Sequence, residues 1–254
     1  LKPVRNITGA PVATARLSLF AMDHMKGQAL HQQHSHLKNR EQLISANVKT
    51  PKHPPIVTAP MQSCDEWENR YQQGQTGWDR GEPSPNLLYW IEREFLKPCR
   101  ILIPGCGNGH EVLTLAEKGF DVVAIDIAPT PIENLRKVLK DKQLSVELIQ
   151  TDFFTCEFEK SFDAIYEQTS LCALHPGQWK DYEQCLYNWL KPKGRLFAQF
   201  MQTGQESGPP FHCDIQAMSG LFVKERWLWS EQHKTNVVHS DNLYEKMYLL
   251  ERAW

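Results

Sequence analysis

The stretch Arg100-Ile-Leu-Ile-Pro104-Gly105-Cys106-Gly107-Asn108-Gly109-His110-Glu111 decides the fold. Its first five residues form a short apolar run of strand length. Glu111–Lys118 then follow a helical period, with Val112, Leu115 and Ala116 on one face. Between the two, three glycines fall at alternate positions. Glycine permits a tight turn and lets a ligand approach the backbone, and the start of a helix offers unpaired N–H groups. Strand, glycine turn and helix in this order open an α/β sheet.

The same alternation continues downstream. Asp121–Ile125 reads as the next strand and Pro131–Lys140 as a helix with proline at an early position. Further strands are expected at Val146–Ile149, Phe162–Tyr166 and Arg195–Met201, with a helix near Trp179–Leu190 and a turn at Pro192-Lys-Gly194. A helix near Asp214–Phe222 leads to strands near Val223–Trp229 and Leu243–Arg252. No long helix separates the last two, so they are expected as an antiparallel hairpin at the sheet edge. The fold class is α/β: a Rossmann-like, seven-stranded, mostly parallel sheet with helices on both faces.

Asp126 ends the second strand, 21 residues after Gly105, where a carboxylate can accept hydrogen bonds from both hydroxyls of a nucleotide ribose. A nicotinamide dinucleotide and an adenosyl-methionine both suit these features. The dinucleotide fingerprint places glycine or alanine where this chain has His110, and the alternate glycines suit a cofactor without pyrophosphate. After the third strand, Asp152 with the aromatic Phe153 can bond an exocyclic amine and stack on adenine. Glu167 and Gln168 follow the fourth strand, and such strand ends line the crevice of an open sheet.

Composition narrows the function. The 28 Lys and Arg nearly balance the 30 Asp and Glu, which argues against a dedicated nucleic-acid binder. No apolar run approaches the ~20 residues that span a bilayer. The seven cysteines are scattered with no C-x-x-C pair, which fits reduced thiols in a cytosol and neither a disulfide framework nor a zinc site. Residues 1–60 hold eight Lys/Arg against Asp23 and Glu41, a net charge of +6, and end in a proline-rich run. Without a sustained apolar period they are expected to be a disordered or loosely attached leader, its His31, His34 and His36 a polar tract. One domain is expected over 61–254, beginning near Met61.

Asp65-Glu-Trp67-Glu-Asn-Arg-Tyr71 and Gly77-Trp78-Asp79-Arg80-Gly81-Glu-Pro83 resemble an aromatic segment of the thiopurine S-methyltransferase family, which includes halide and thiol methyltransferases. The resemblance continues through Ile103–Gly109, Val123–Ile127, Thr151–Phe154, Phe162–Leu174, Leu190–Gly194 and Gly208–Phe211, covering nearly all of 64–254. It implies a class I methyltransferase fold with S-adenosyl-L-methionine as cofactor. It places Trp67, Tyr71 and Trp78 near the methionine part and the sulfonium, a cation that aromatic faces attract. It implies that Gly105 and Gly107 cradle the cofactor, Asp126 binds the ribose, Asp152 and Phe153 contact the adenine, and Glu167 and Gln168 line the pocket. Many members carry Tyr where this chain has Gln168, and Arg near Gly177–Lys180.

The reaction so implied is an in-line displacement by an acceptor sulfur, in which the protein aligns the partners and excludes water. Glu167, His175 and His212 are candidate bases or orienting groups, and no catalytic residue is assigned. The expected partner is a small-molecule methyl acceptor, most simply a thiol. A halide or chalcogen acceptor, a catalytically silent cofactor-binding module and a nicotinamide-dependent oxidoreductase stand as alternatives. The chain is expected to act as a cytoplasmic monomer, with no nucleic acid, membrane or metal.

Overall fold

A computed structural model describes residues 63–230, 236–240 and 243–254. The leader expected at 1–60, with its histidine tract and the start near Met61, lies outside the described residues. Four parallel strands form the heart of the sheet: β1 (Arg100–Pro104), β2 (Asp121–Asp126), β3 (Glu147–Gln150) and β4 (Phe162–Gln168). β1 lies between β2 and β4, which puts the topological switch point at its carboxyl end. β5 (Leu190–Gln202) continues parallel to β4, and β8 (Leu243–Arg252) closes antiparallel to β5. The far side of β8 pairs with two short strands in succession, β6 (Trp227–Ser230) and β7 (Asn236–Ser240). The path β3-β2-β1-β4-β5-β8-β6 has the seven expected strands and the expected antiparallel end, while β7 adds an eighth strand among the described residues.

Both faces of the sheet are covered, because the strands alternate between two apolar clusters. Met247 and Leu249 point to one face of β8, where they pack with Trp90, Val112, Leu115 and Ile132. Tyr248 and Leu250 point to the other, with Tyr182, Leu186, Trp189 and Phe222. The first face carries α2 (Pro85–Glu92), α3 (His110–Glu117) and α4 (Pro129–Asp141). The second carries α6 (Trp179–Trp189) and α7 (Ile215–Leu221). Two further helices, α1 (Cys64–Gln72) and the short α5 (Ser170–Ala173), belong to the cleft described below.

Some boundaries differ from the sequence reading for local reasons. β6 starts at Trp227 because the N–H groups of Arg226 and Trp227 both bond the Val223 carbonyl at 2.9 Å, closing a turn where strand was expected. β5 runs back through Pro192-Lys-Gly194, with Lys193 at φ 63° and a register shift against β4, so the expected turn is a kink within the strand. Among the described residues no helix is long and apolar enough to cross a membrane.

Candidate active site

The carboxyl ends of β1 and β4 open into a cleft of about 360 Å³. Its floor is the glycine turn. Gly105 has φ +60°, and a Cβ there would collide with Ser170 Oγ, which donates to the Pro104 carbonyl at 2.7 Å. Gly109 has φ +77°, and a Cβ there would stand 2.5 Å from Leu135 of α4. This glycine therefore permits α3 and α4 to approach closely.

Asp126 is 6% exposed and accepts from Gly107 N–H at 2.8 Å on one oxygen and from Ala128 N–H at 2.9 Å on the other. Burial raises its pKa, and the backbone N–H groups of Ala128, Gly107 and Ile127 work against that rise. A carboxylate has about four lone-pair sites, so acceptor capacity remains for a ribose hydroxyl.

The aromatic segment packs over this floor. Trp78 meets Trp67 and Tyr71 edge to face, with ring centroids 5.3 and 5.5 Å apart. Helix α1 is held by a capping box at Ser63 and Glu66, and Glu68 reaches across to α4. The Glu68 carboxylate accepts from Thr130 N–H at 2.9 Å and from its hydroxyl, capping α4, whose own N-cap Ala128 has no side-chain acceptor. A second acid, Asp79, accepts from Asn108 Nδ2, from Gly81 N–H at 2.7 Å and lies 2.9 Å from His110 Nε2. Burial opposes its charge, but these hydrogen bonds and the His110 ring more than offset that and hold Asp79 below the ordinary carboxylate range.

Of the residues singled out from sequence, Trp67, Tyr71, Trp78, Gly105, Gly107, Asp126, Phe153 and Gln168 line the cleft. Asp152 and Glu167 do not. The Asp152 side chain turns back to cap its own 3-10 turn, accepting from Phe154 N–H at 2.9 Å. Glu167 points into the opposite face of the sheet, 1% exposed, and accepts from Leu171 N–H at 2.7 Å to hold α5. Burial pushes its pKa up to about 7, and its second oxygen has no hydrogen-bond partner among the described residues. His175 and His212 serve loops. Their Nδ1 atoms accept backbone N–H groups of Gly177 at 3.1 Å and of Thr203 at 3.0 Å, and neither ring lines the cleft. Nor do Gly177–Lys180.

The cleft also holds residues the sequence reading passed over: Arg70, Asp79, Arg80, Glu111 and Tyr166. Asp79 and Arg80 stood inside the quoted aromatic motif, which was the one available signal for them. Tyr166 was legible only as a strand residue.

The profile described as Thiopurine S-methyltransferase (TPMT) matches residues 62–253. The chain belongs to the thiopurine S-methyltransferase family. It is 33% identical over 164 residues to "Probable thiol methyltransferase 2" of Arabidopsis thaliana, spanning 63% of this chain and 73% of that protein. It is 29% identical over 160 residues to "Thiocyanate methyltransferase 1" of Brassica oleracea, spanning 62% of this chain and 71% of the relative. Among solved structures, the fold resembles that of Burkholderia thailandensis 1,6-didemethyltoxoflavin-N1-methyltransferase with bound 1,6-didemethyltoxoflavin and S-adenosylhomocysteine. The TM-score is 0.62 at 16% identity, covering 75% of this chain and 87% of that one. The fold is thus that of the class I methyltransferases, and the chain is an S-adenosyl-methionine-dependent methyltransferase as its family is. The three aromatic rings, the remaining acceptor capacity of Asp126 and the glycine floor fit that donor.

Proposed function

We propose that this chain methylates the sulfur of a small thiol in the cleft at the end of β1. The observation that carries the reading is the joining of glycine floor, Asp126 and aromatic cage in one cleft that apolar side chains also line. S-adenosyl-methionine, when bound, supplies a methyl group already attached to a good leaving group, so the protein needs no covalent chemistry of its own. Asp126 would take the ribose hydroxyls, Gly105 and Gly107 would admit the donor to the backbone, and Phe153 would pack against the adenine. Trp67, Tyr71 and Trp78 would face the sulfonium, where a cation gains from aromatic faces.

The acceptor end is bounded by Leu174, Met201, Pro209, Pro210 and Leu243. Such a wall favours a thiol, which brings apolar surface, over a halide, which must shed hydration to enter. No candidate base reaches the cleft from His175, His212 or Glu167. A free thiol ionises near pH 8.5, so the chain can capture the thiolate fraction and align it. The near-balanced charge and the seven free cysteines support a cytoplasmic protein that needs no nucleic acid, and we take it to act as a monomer over a domain at 61–254.

The test is a panel of acceptors with labelled donor, ranked by kcat/KM. Alkyl and aromatic thiols should lead, and the rising limb of the pH profile should move with the acidity of the thiol. Efficient methylation of iodide with no turnover of any thiol would overturn the acceptor class.

A further inference from the structure

The loop that leaves β5, residues 203–213, reaches the cleft on the side away from Asp126. Its Pro209 and Pro210 line the cleft, as do Met201 at the end of β5 and Leu174 just after α5. β5 stands three strand spacings from β2, roughly 14 Å at the usual interval. Asp126, at the end of β2, marks the ribose, so the loop borders the part of the cleft left to the acceptor.

Hydrogen bonds close the neck of this loop. Cys213 N–H donates to the Met201 carbonyl at 2.8 Å, and Gln202 Nε2 donates to the Cys213 carbonyl at 2.7 Å. One step further out, the N–H groups of Thr203 and Gly204 both donate to His212 Nδ1, at 3.0 and 3.1 Å. The tip is tied as well. Phe211 N–H donates to the Cys172 carbonyl of α5 at 2.7 Å. The Phe211 ring folds back over Gly208, where a Cβ would stand 2.5 Å from ring carbon Cγ. The same ring meets that of His175 edge to face, with centroids 5.6 Å apart, and His175 is fixed in turn by accepting Gly177 N–H at 3.1 Å. A loop closed at its neck and packed by its own side chains behaves as a compact unit. Pro209 and Pro210 stiffen the tip further, since each ring locks its own φ.

We propose that this loop is a preset wall that limits the acceptor to a thiol with a compact substituent of a few heavy atoms, and that His212 is the residue that positions it. The proposal deepens the thiol methyltransferase reading and rests on it for where the acceptor lies. Size enters through volume. The cleft holds about 360 Å³, near the lower end of the roughly 300–1,000 Å³ in which one drug-sized ligand sits. An adenosine joined to a methionine is such a ligand, so the donor takes most of that space. A loosely held loop could yield to a larger acceptor. This one moves outward only by breaking the bond to Cys172 and the His212 clasp together, which makes the limit steric. His175 and His212, candidates for a base by sequence, thus serve the acceptor by holding its wall.

Ethanethiol and cyclohexanethiol, alkyl thiols of similar acidity, are titrated by NMR into the full-length protein saturated with S-adenosylhomocysteine, so that fit is read without turnover. Apolar burial alone favours the larger ligand, so a ranking that falls with size comes from the wall. In the unsubstituted protein cyclohexanethiol should bind about tenfold more weakly than ethanethiol, the usual order of effect when a packed site is overfilled. His212→Ala should narrow that gap severalfold while S-adenosylhomocysteine affinity stays at its unsubstituted value. His212→Asn should restore the gap, because Oδ1 takes the place of Nδ1 as acceptor. Thermal unfolding identifies a variant that has merely misfolded. In that event hydrogen exchange in the unsubstituted protein carries the test: the Thr203 and Gly204 amides should be protected, and free exchange at both would sink the clasp. Cyclohexanethiol binding as tightly as ethanethiol, or an unchanged gap in a folded His212→Ala, would overturn the proposal. Methyl transfer is assayed separately. Size-ranked binding with no thiol methylated would support the wall and count against the thiol reading. Turnover of both thiols at equal kcat/KM would support that reading and sink the wall.

Discussion

Asp126 uses one buried carboxylate for two tasks, bonding the N–H groups of Gly107 and Ala128 while keeping acceptor capacity at the cleft. Asp126→Ala should weaken S-adenosylhomocysteine by about 1–3 kcal/mol, the range for losing charge-assisted hydrogen bonds. The structure adds a second effect, since the substitution also strands two backbone donors, so the melting temperature should drop as well. Calorimetry and thermal unfolding on the same sample separate the two, and an unchanged affinity would remove the ribose assignment. Glu167 gives a test of opposite character. Its pKa is about 7 in the fold against 4.5 ordinarily, so the unfolded chain releases the proton first as pH rises. Its contribution is complete below pH 4.5, declines as pH climbs toward 7 and is gone above, a loss on the order of 3 kcal/mol. Glu245 acts with the same sign up to about pH 8. Urea midpoints at pH 4.5 and pH 8 should therefore converge in Glu167→Gln without becoming equal. A midpoint difference as large as in the unsubstituted protein would mean that Glu167 is not held neutral. Sequence could point to Glu167 as a strand-end acid, but one residue of strand alternation separates the cleft face from the core face. That single step put Gln168 at the cleft and Glu167 behind it.

The strands were legible where apolar runs are bounded by turn residues, and β1 and β8 have the bounds their sequences announce. The aromatic segment was legible only as a motif. Helix α1 buries none of its residues completely, so it shows no apolar stripe from which a helix could be read. Two acids tie the aromatic segment down at a distance in sequence, Glu68 on Thr130 and Asp79 on Asn108 and His110. Glu68→Ala removes the only side-chain cap that α4 receives among the described contacts, and should cost about 0.5–2 kcal/mol of stability. Asp79→Ala should instead act mainly on the donor site, because it frees the aromatic cage from the glycine turn. We expect weaker S-adenosylhomocysteine binding with a smaller change in melting temperature than Glu68→Ala produces. The reverse ranking would show that Asp79 supports the fold more than the cleft. β7 was missed for a similar reason. Its five residues pair with β8 in the sheet, and so short a run carries little periodicity.

Among the described residues, those that line the cleft lie between Trp67 and Leu243, and the family match begins at residue 62. Residues 1–60 carry a net charge of +6 and no patterned apolar face, whereas the remainder carries −8. Opposite net charges attract, but dispersed charges on a polar chain are screened within about 10 Å at ordinary salt and do not offset the entropy of ordering sixty residues. Removing residues 1–60 should consequently leave the melting temperature within about 2 °C and the S-adenosylhomocysteine affinity within about twofold. The comparison is best run at low and at high salt. A drop in melting temperature that appears at low salt and vanishes at high salt would place the leader against the acidic domain by charge alone. A large drop at both would mean that the leader contributes apolar contacts its sequence does not advertise, and the boundary drawn at 61 would then be wrong.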